Sequence, residues 1–398
     1  MMVTYLDHAA STPMRPEAIE AMGPYLDVLY ANPSGSHRFA RRARQAIDEA
    51  RDRVAAVIGC RPNEVVFTGC GTESDNMAVA GAISAARHAG RTGASVCPAV
   101  EHHAVLEVVE HDAHGHLVGV DAAGHVDLDA LASTLDQLAA DGTPADVVSV
   151  MTVNNEVGTI TDLDAVARVV RRHAPDAWFH TDAVQAASWV DWADVTPHAD
   201  LIALSAHKFG GPKGVGILIE RGRAATDRVD PIIVGGGQER ERRSGTHNVA
   251  GIVAAAEALA ITADERDDEI VRIGALRDSL VDQLTGSIEG AVETVPRHRK
   301  NAGSAHVCIP GIESEALLYL LDEADVCASA ASACASGAME PSHVLAAMGV
   351  DRSLALGALR LSLGHTTTAD DVDRAVEVIS GAVERLRRPV SAHRGAST

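Results

Sequence analysis

The chain has 398 residues, 46% of them hydrophobic, enough to bury a large core and more than one domain. Its formal net charge of −21 argues against a face that binds nucleic acid by neutralising phosphates. No run of about eighteen apolar residues offers a membrane span. Met1-Met2-Val3-Thr4 has no basic stretch leading into an apolar one, so no secretory signal is expected and the cytoplasm is the default.

Aromatic residues make up only 3%, so packing must rest on Ala, Val, Leu and Ile. The six cysteines, Cys60, Cys70, Cys97, Cys308, Cys327 and Cys334, include no Cys-x-x-Cys pair and no zinc spacing. In a reducing compartment they are thiols.

In chain order, Arg41 to Ile58 reads as an amphipathic helix, with apolar positions at Ala43, Ile47, Ala50, Val54 and Val57. Pro62-Asn63 ends it. A short strand, Glu64 to Thr68, leads into the Gly-rich turn Gly69-Cys70-Gly71-Thr72 and a helix from about Asp75 to Arg87. Strand, Gly-rich turn and helix in that order suit a phosphate, held by backbone amides and a helix N-terminus. Further apolar runs end in polar residues: Val147 to Val153 at Asn154-Asn155-Glu156, Trp178 to Thr181 at Asp182, and Leu201 to Leu204 at Ser205. A helical stretch, Leu163 to Arg172, separates the first two. The alternation predicts an α/β domain with a mainly parallel sheet, whose ligands gather at the carboxyl ends of the strands. A long helix over about Ala254 to Leu284, a strand over Ala305 to Ile309 and a helix over Glu313 to Leu321 predict a second, smaller α+β domain. The expected division is 15–255 for the large domain, with 1–14 and 256–398 in the small one.

Lys208, in Ser205-Ala206-His207-Lys208-Phe209, is the sharpest chemical signal. A Schiff-base lysine needs surroundings that favour its neutral amine. Ser205 and His207 beside it can bind phosphate, as can Gly71 and Thr72. Asp182 is placed to hold a pyridinium nitrogen protonated and so keep the ring an electron sink, although an aspartate there also serves as a helix cap. Gln185 can donate to the ring oxygen. His102 can stack on a ring and carry protons, with His103 an obvious confounder. Arg360 sits alone in an apolar, strand-like run, where it needs either a structural acidic partner or a substrate carboxylate. Cys334 lies in Ser329-Ala330-Ala331-Ser332-Ala333-Cys334-Ala335-Ser336-Gly337, a small-residue segment that suits a loop nucleophile and equally a buried loop cysteine. His111, His114 and His116 are spaced like a metal cluster but sit in a polar Gly-containing loop, and no metal is expected. Together the residues point to a pyridoxal phosphate (PLP) enzyme acting on a sulfur-containing amino acid.

Over nearly its whole length the chain resembles the cysteine desulfurases of the class V aminotransferase group, the IscS/NifS type. The motifs are Tyr5-Leu6-Asp7-His8-Ala9-Ala10, Asn32-Pro33-Ser34 with His37, Gly71-Thr72-Glu73-Ser74-Asp75-Asn76, Glu101-His102, Asn154-Asn155-Glu156-Val157-Gly158, Asp182-Ala183-Val184-Gln185, Ser205-Ala206-His207-Lys208, Arg243-Ser244-Gly245-Thr246, Ser332-Ala333-Cys334, Glu340-Pro341-Ser342-His343 and Arg360-Leu361-Ser362-Leu363-Gly364. The resemblance implies a PLP-dependent transferase of fold type I with a seven-stranded large-domain sheet. It implies that Lys208 carries the cofactor, that Asp182 pairs with the ring nitrogen, and that Gln185 and Asn155 orient ring and substrate. His102 would stack on the ring and serve in proton transfer. Thr72, Ser205 and His207 would bind the phosphate, joined by Thr246 from the other subunit of a homodimer. Arg360 would grip the carboxylate of L-cysteine, and Cys334 would attack its sulfur, become a persulfide and leave alanine.

The segment from Cys334 to Arg360 is similar to the long-loop subgroup, which hands sulfur to acceptors such as an iron–sulfur scaffold or a tRNA-thiolating protein. There Cys334 could also serve as a transient cluster ligand. Ala331 stands where that pattern has Gly, which would stiffen the loop by about 1 kcal/mol. Cys327 is an additional thiol. The competing readings are a selenocysteine lyase or aminotransferase, and a sulfur donor dedicated to DNA phosphorothioation or natural-product thiolation.

Overall fold

The computed structural model describes residues 3–222, 228–330 and 342–388. In chain order the strands are β1 (Thr4–Tyr5), β2 (Val65–Thr68), β3 (Ala94–Pro98), β4 (Gly115–Val118), β5 (Ala145–Ser149), β6 (Trp178–Asp182), β7 (Leu201–Ser205), β8 (Gly216–Glu220), β9 (Val292–Glu293), β10 (Ser304–Cys308), β11 (Val326–Cys327) and β12 (Ala358–Ser362).

Seven of these form one sheet in the order β2-β8-β7-β6-β5-β3-β4. The ladders joining β7, β6, β5, β3 and β4 are parallel, and β8 runs antiparallel to both its neighbours. Strands β2, β3, β5, β7 and β8 are buried along their whole length, as expected for a sheet covered on both faces. On one face pack the helices Arg38–Ile58 and Leu163–His173, in a core that contains Ile47, Val54, Phe67, Val148, Val166 and Phe179. On the other pack Gly71–His88 and His103–His111, through Met77, Val79, Val105 and Leu106.

The helix Arg38–Ile58 shows how the sequence sets these elements. Its buried positions Ala40, Ala43, Ile47, Ala50, Val54 and Ile58 recur every three or four residues. The His37 side chain accepts from Ala40 N at its start, and Gly59 closes it at φ +76°.

A second core surrounds the antiparallel sheet β12-β10-β9, covered by Ser314–Glu323 and Ala369–Arg387. Strands β1 and β11 pair parallel beside it. The long helix predicted for about 254–284 runs from Val249 to Ser287 and serves both cores. Ile252 to Leu259 pack into the first and Ile273 to Leu284 into the second. Position 255 therefore falls inside one continuous helix.

The helix expected from about Asp75 begins at Gly71, because the Cys70 sulfur accepts from Glu73 N and caps it four residues earlier. No described helix is long and apolar enough to cross a membrane.

Candidate active site

The carboxyl ends of β2, β3, β5, β6 and β7 lie at one edge of the main sheet and deliver the polar residues that follow each strand. They meet at a cavity of about 360 Å³. Its lining includes Gly71 and Thr72 after β2, His102 after β3, Asn155 after β5, Asp182 and Gln185 at and after β6, and Ser205, His207 and Lys208 at and after β7. Arg360 enters from β12 of the second sheet, and Ala9 and Ala10 come from the N-terminal segment.

The Lys208 amine donates to the carbonyls of Ala9 at 2.5 Å and Ala10 at 2.9 Å. Burial, then the nearby Arg360 charge, bring its pKa down to about 8 against the opposing pull of Asp182 and Asp7. A neutral amine is thus accessible near physiological pH. Gln185 Nε2 donates to the same Ala9 carbonyl at 2.8 Å.

Asp182 is buried, and its Oδ1 accepts from Val184 N at 2.8 Å. Burial pushes its carboxyl up, against the positive pull of His102, the Val184 hydrogen bond and Lys208. A cation at this place, such as a protonated ring nitrogen, would restore the charged form.

His102 Nδ1 accepts from Ala104 N at 3.1 Å and caps the helix His103–His111. That bond places the proton of the neutral ring on Nε2. Burial pushes the His102 pKa down. His207 is pushed down to about 4, by burial and then by Lys208, and its Nδ1 meets Ser11 Oγ at 3.3 Å.

Gly71 and Thr72 open the helix Gly71–His88, so their backbone N–H groups point out of the helix without intrahelical partners. A Cβ at Gly71 would come within 2.9 Å of Val184 Cγ2 and 3.1 Å of Ser205 Cβ, so only glycine allows this close approach.

Arg360 Nη2 donates to Asp7 Oδ1 at 2.8 Å and its Nη1 to the Asn155 carbonyl at 3.0 Å, while Nε is buried without a hydrogen-bond partner among the described residues. The guanidinium is therefore held at two corners and retains donors for a further anion.

Thr246 is exposed and does not line this cavity. Its neighbour Arg243 ion-pairs with Glu73 in the first turn of Gly71–His88, at 2.7 Å. Cys334 and Ala331 lie outside the described residues. The described ends on either side are anchored at the site. Ser329 exchanges backbone hydrogen bonds with Arg360, at 3.1 and 2.7 Å. The Ser342 hydroxyl donates to Glu156, and His343 Nε2 donates to the Glu101 carbonyl at 3.0 Å. His111, His114 and His116 form no metal-binding group, and none is found among the described residues.

Sequence reasoning gave no role to Asp7, the Ala9 and Ala10 carbonyls, Asp75 or Glu101. Asp75 carried a readable signal: it shares the buried side of its helix with Ala78, Val79 and Ala82, an acidic residue on an apolar stripe.

The donor set fits PLP. Amide groups at a helix N-terminus with Thr72, Ser205 and His207 suit a phosphate, buried Asp182 suits a ring nitrogen, and Lys208 offers an amine of lowered pKa.

The family model described as Aminotransferase class-V matches residues 4–375. An IscS-like cysteine desulfurase of Mycobacterium tuberculosis is 43% identical over 398 residues, spanning 99% of this chain and 100% of that protein. A cysteine desulfurase IscS of Dictyoglomus turgidum is 38% identical over 384 residues, 96% of this chain and 95% of that one. A solved NifS-like protein superposes with a TM-score of 0.88 at 34% identity, covering 96% of this chain and 100% of its own. Family model, relatives and fold agree over nearly the full length, and the chain belongs to the class V aminotransferase family.

Proposed function

We propose that this chain is a PLP-dependent cysteine desulfurase that converts L-cysteine to L-alanine and passes the sulfur on as a persulfide of Cys334. The observation that carries the reading is the convergence of Lys208, Asp182, His102 and Arg360 on one cavity, in a chain whose full-length relatives are cysteine desulfurases.

When bound, PLP supplies an electron sink for the negative charge left on the substrate α-carbon. Asp182 holds the ring nitrogen, and Gly71, Thr72, Ser205 and His207 hold the phosphate. Gln185 and Asn155 orient ring and substrate. Arg360 takes the substrate carboxylate with the donors that Asp7 and Asn155 leave free. The neutral amine of Lys208 removes the α-proton. His102 Nε2 stands on the cavity wall to exchange a proton with the substrate thiol or with Cys334. The Cys334 thiolate attacks the substrate sulfur and forms the S–S bond. The carbon–sulfur bond breaks with its electron pair going to the carbon skeleton, which takes up protons and leaves as L-alanine.

The finer reading is a cytoplasmic homodimer serving an iron–sulfur scaffold, with Cys334 as a transient cluster ligand there, or a tRNA-thiolating acceptor. Support for the dimer comes from exposed Thr246 and from the apolar run Ile232, Ile233 and Val234, which are 41, 38 and 78% exposed. Ser244 N, two residues before Thr246, joins that run through the Ile233 carbonyl at 3.1 Å. Cys60, Cys70, Cys97, Cys308 and Cys327 are all free thiols, as a reducing compartment requires. The division into a large domain of 15–255 and a small one of 1–14 and 256–398 is likewise proposed.

Alanine and sulfide production from L-cysteine with a reductant tests the activity. Wild type should release both, and Cys334→Ala should keep the yellow cofactor colour while turnover collapses. Colour without alanine in wild type would overturn the reading.

A further inference from the structure

Behind Asp182 lies a set of buried polar groups that the reaction above does not use. Strand alternation puts His180 on the same face of β6 as Asp182, towards the helix Gly71–His88, while Phe179 turns to the opposite core. On that helix Asp75 also lines the cavity. Asp75 and His180 are 1% and 0% exposed.

Asp75 Oδ1 and His180 Nε2 are 3.6 Å apart, and neither atom has a hydrogen-bond partner among the described residues. That separation is about half an ångström longer than a formed bond, within reach of a small side-chain adjustment. Two unsatisfied polar atoms facing each other while buried are costly unless a proton lies between them. On its other side His180 Nδ1 meets Ser149 Oγ at 2.8 Å. The row is therefore Ser149, His180, Asp75, ending beside Asp182.

We propose that Asp75 and His180 are a positioning pair for Asp182: Asp75 keeps a proton and donates it to His180 Nε2, His180 Nδ1–H donates to the Ser149 hydroxyl, and Asp182 is left as the ionised carboxylate that pairs with the cofactor ring. Three buried acids, Asp75, Asp182 and Glu101, act on one another here, and Glu101 Oε2 also lacks a partner among the described residues. Like charges that close cannot all ionise. Burial, then Asp182, Glu101 and Cys70, push the Asp75 carboxyl well up. Burial alone pushes His180 down to about 3, so its ring stays neutral and its single proton can serve Ser149. The other charged groups facing Asp182 are His102 and Lys208, both used by the reaction itself.

The inference rests on PLP binding at Lys208. Its test compares wild type, Asp75→Asn, Asp75→Ala and Ser149→Ala by two readouts, the pH midpoint of the cofactor's visible absorption band and the PLP dissociation constant. The melting temperature of each apoprotein reports folding. Asparagine matches a neutral carboxylic acid in shape and can donate to His180 Nε2, so Asp75→Asn should keep the wild-type midpoint. Asp75→Ala should move it by about one pH unit and weaken PLP binding about ten- to a hundredfold, as loss of a supporting partner does at metal sites. Ser149→Ala frees the His180 tautomer and should move the midpoint by less.

An unmoved midpoint in both Asp75→Ala and Ser149→Ala overturns the proposal. So does an Asp75→Asn shift as large as that of Asp75→Ala, since Asp75 would then act as an ion. If Asp75→Ala does not fold, an Asp75→Asn midpoint moved by about one pH unit, or an unmoved midpoint in Ser149→Ala, overturns it instead. A wild type that takes up no PLP would overturn the cofactor reading itself, before any variant is compared.

Discussion

Asp7 and Arg360 are joined by an ion pair at 2.8 Å across 353 residues of chain, so the arginine assigned to the substrate carboxylate already has an acidic partner. The pair is nearly closed from water on the arginine side, whose side chain is 8% exposed. Such a contact holds the guanidinium plane still, so the Nε and remaining Nη hydrogens would meet a substrate carboxylate with little rotamer entropy left to lose.

Arg360→Ala should raise KM for L-cysteine about thirty- to a hundredfold, the scale for losing one partner of a buried charge pair. Arg360→Lys should recover little of it, because an ammonium cannot serve Asp7, the Asn155 carbonyl and a carboxylate at once. Steady-state kinetics on L-cysteine check both. An unchanged KM in Arg360→Ala would reduce Arg360 to a structural ion pair.

Lys208 makes a prediction about the apoprotein. Its pKa is lowered to about 8, chiefly by burial, so the neutral, nucleophilic amine gains population as pH rises. The rate of PLP uptake, followed by growth of the visible band, should climb about tenfold per pH unit below 8 and level off above it. A neutral amine retains two N–H groups, enough for the Ala9 and Ala10 carbonyls, so its position survives deprotonation. A flat uptake profile between pH 6 and about 9 would contradict this assignment of the nucleophile.

The strand-end residues were legible because their logic is local. An apolar run ending in Asp182, or in Ser205 ahead of Lys208, announces its own position in a parallel sheet, and the cavity gathers these residues. The groups that hold them in place were not legible, since they arrive from far along the chain. Ala9 and Ala10 reach Lys208 across 199 and 198 residues, and no periodicity near either end marks the meeting. The start of the helix at Gly71 was missed for another reason: cysteine is an uncommon cap, so Cys70 read as part of a turn. The basic run Arg297-His298-Arg299-Lys300 carries no local mark of what its charges meet. Lys300 is buried and paired with Glu293 at 2.7 Å, while Arg299 meets Asp121 at 3.0 Å.

Glu239 carries the stability prediction. Its carboxylate accepts from Arg51 at 2.6 and 2.9 Å, from His247 at 2.7 Å and from Phe67 N at 3.0 Å. Arg51 also lies over the Phe67 ring, 4.8 Å from its centre. These bonds hold Glu239 at φ +50°, a left-handed backbone that disfavours a side chain. Burial by itself would raise the carboxyl, but the hydrogen bonds from His247 and Arg51, with the Arg51 charge, bring it down to about 2. A folded-state pKa below the unfolded value gives stability that is complete above the ordinary glutamate range and lost as pH falls through about 2. Glu239→Ala strands the buried Arg51 charge and should cost about 3–5 kcal/mol at neutral pH, read by denaturant unfolding. Glu239→Ala and wild type should then converge in stability as the pH is lowered towards 2, because protonation removes from wild type what the substitution has already removed. A gap that stays constant down to that pH would assign the loss to packing or to the strained turn rather than to the charge pair.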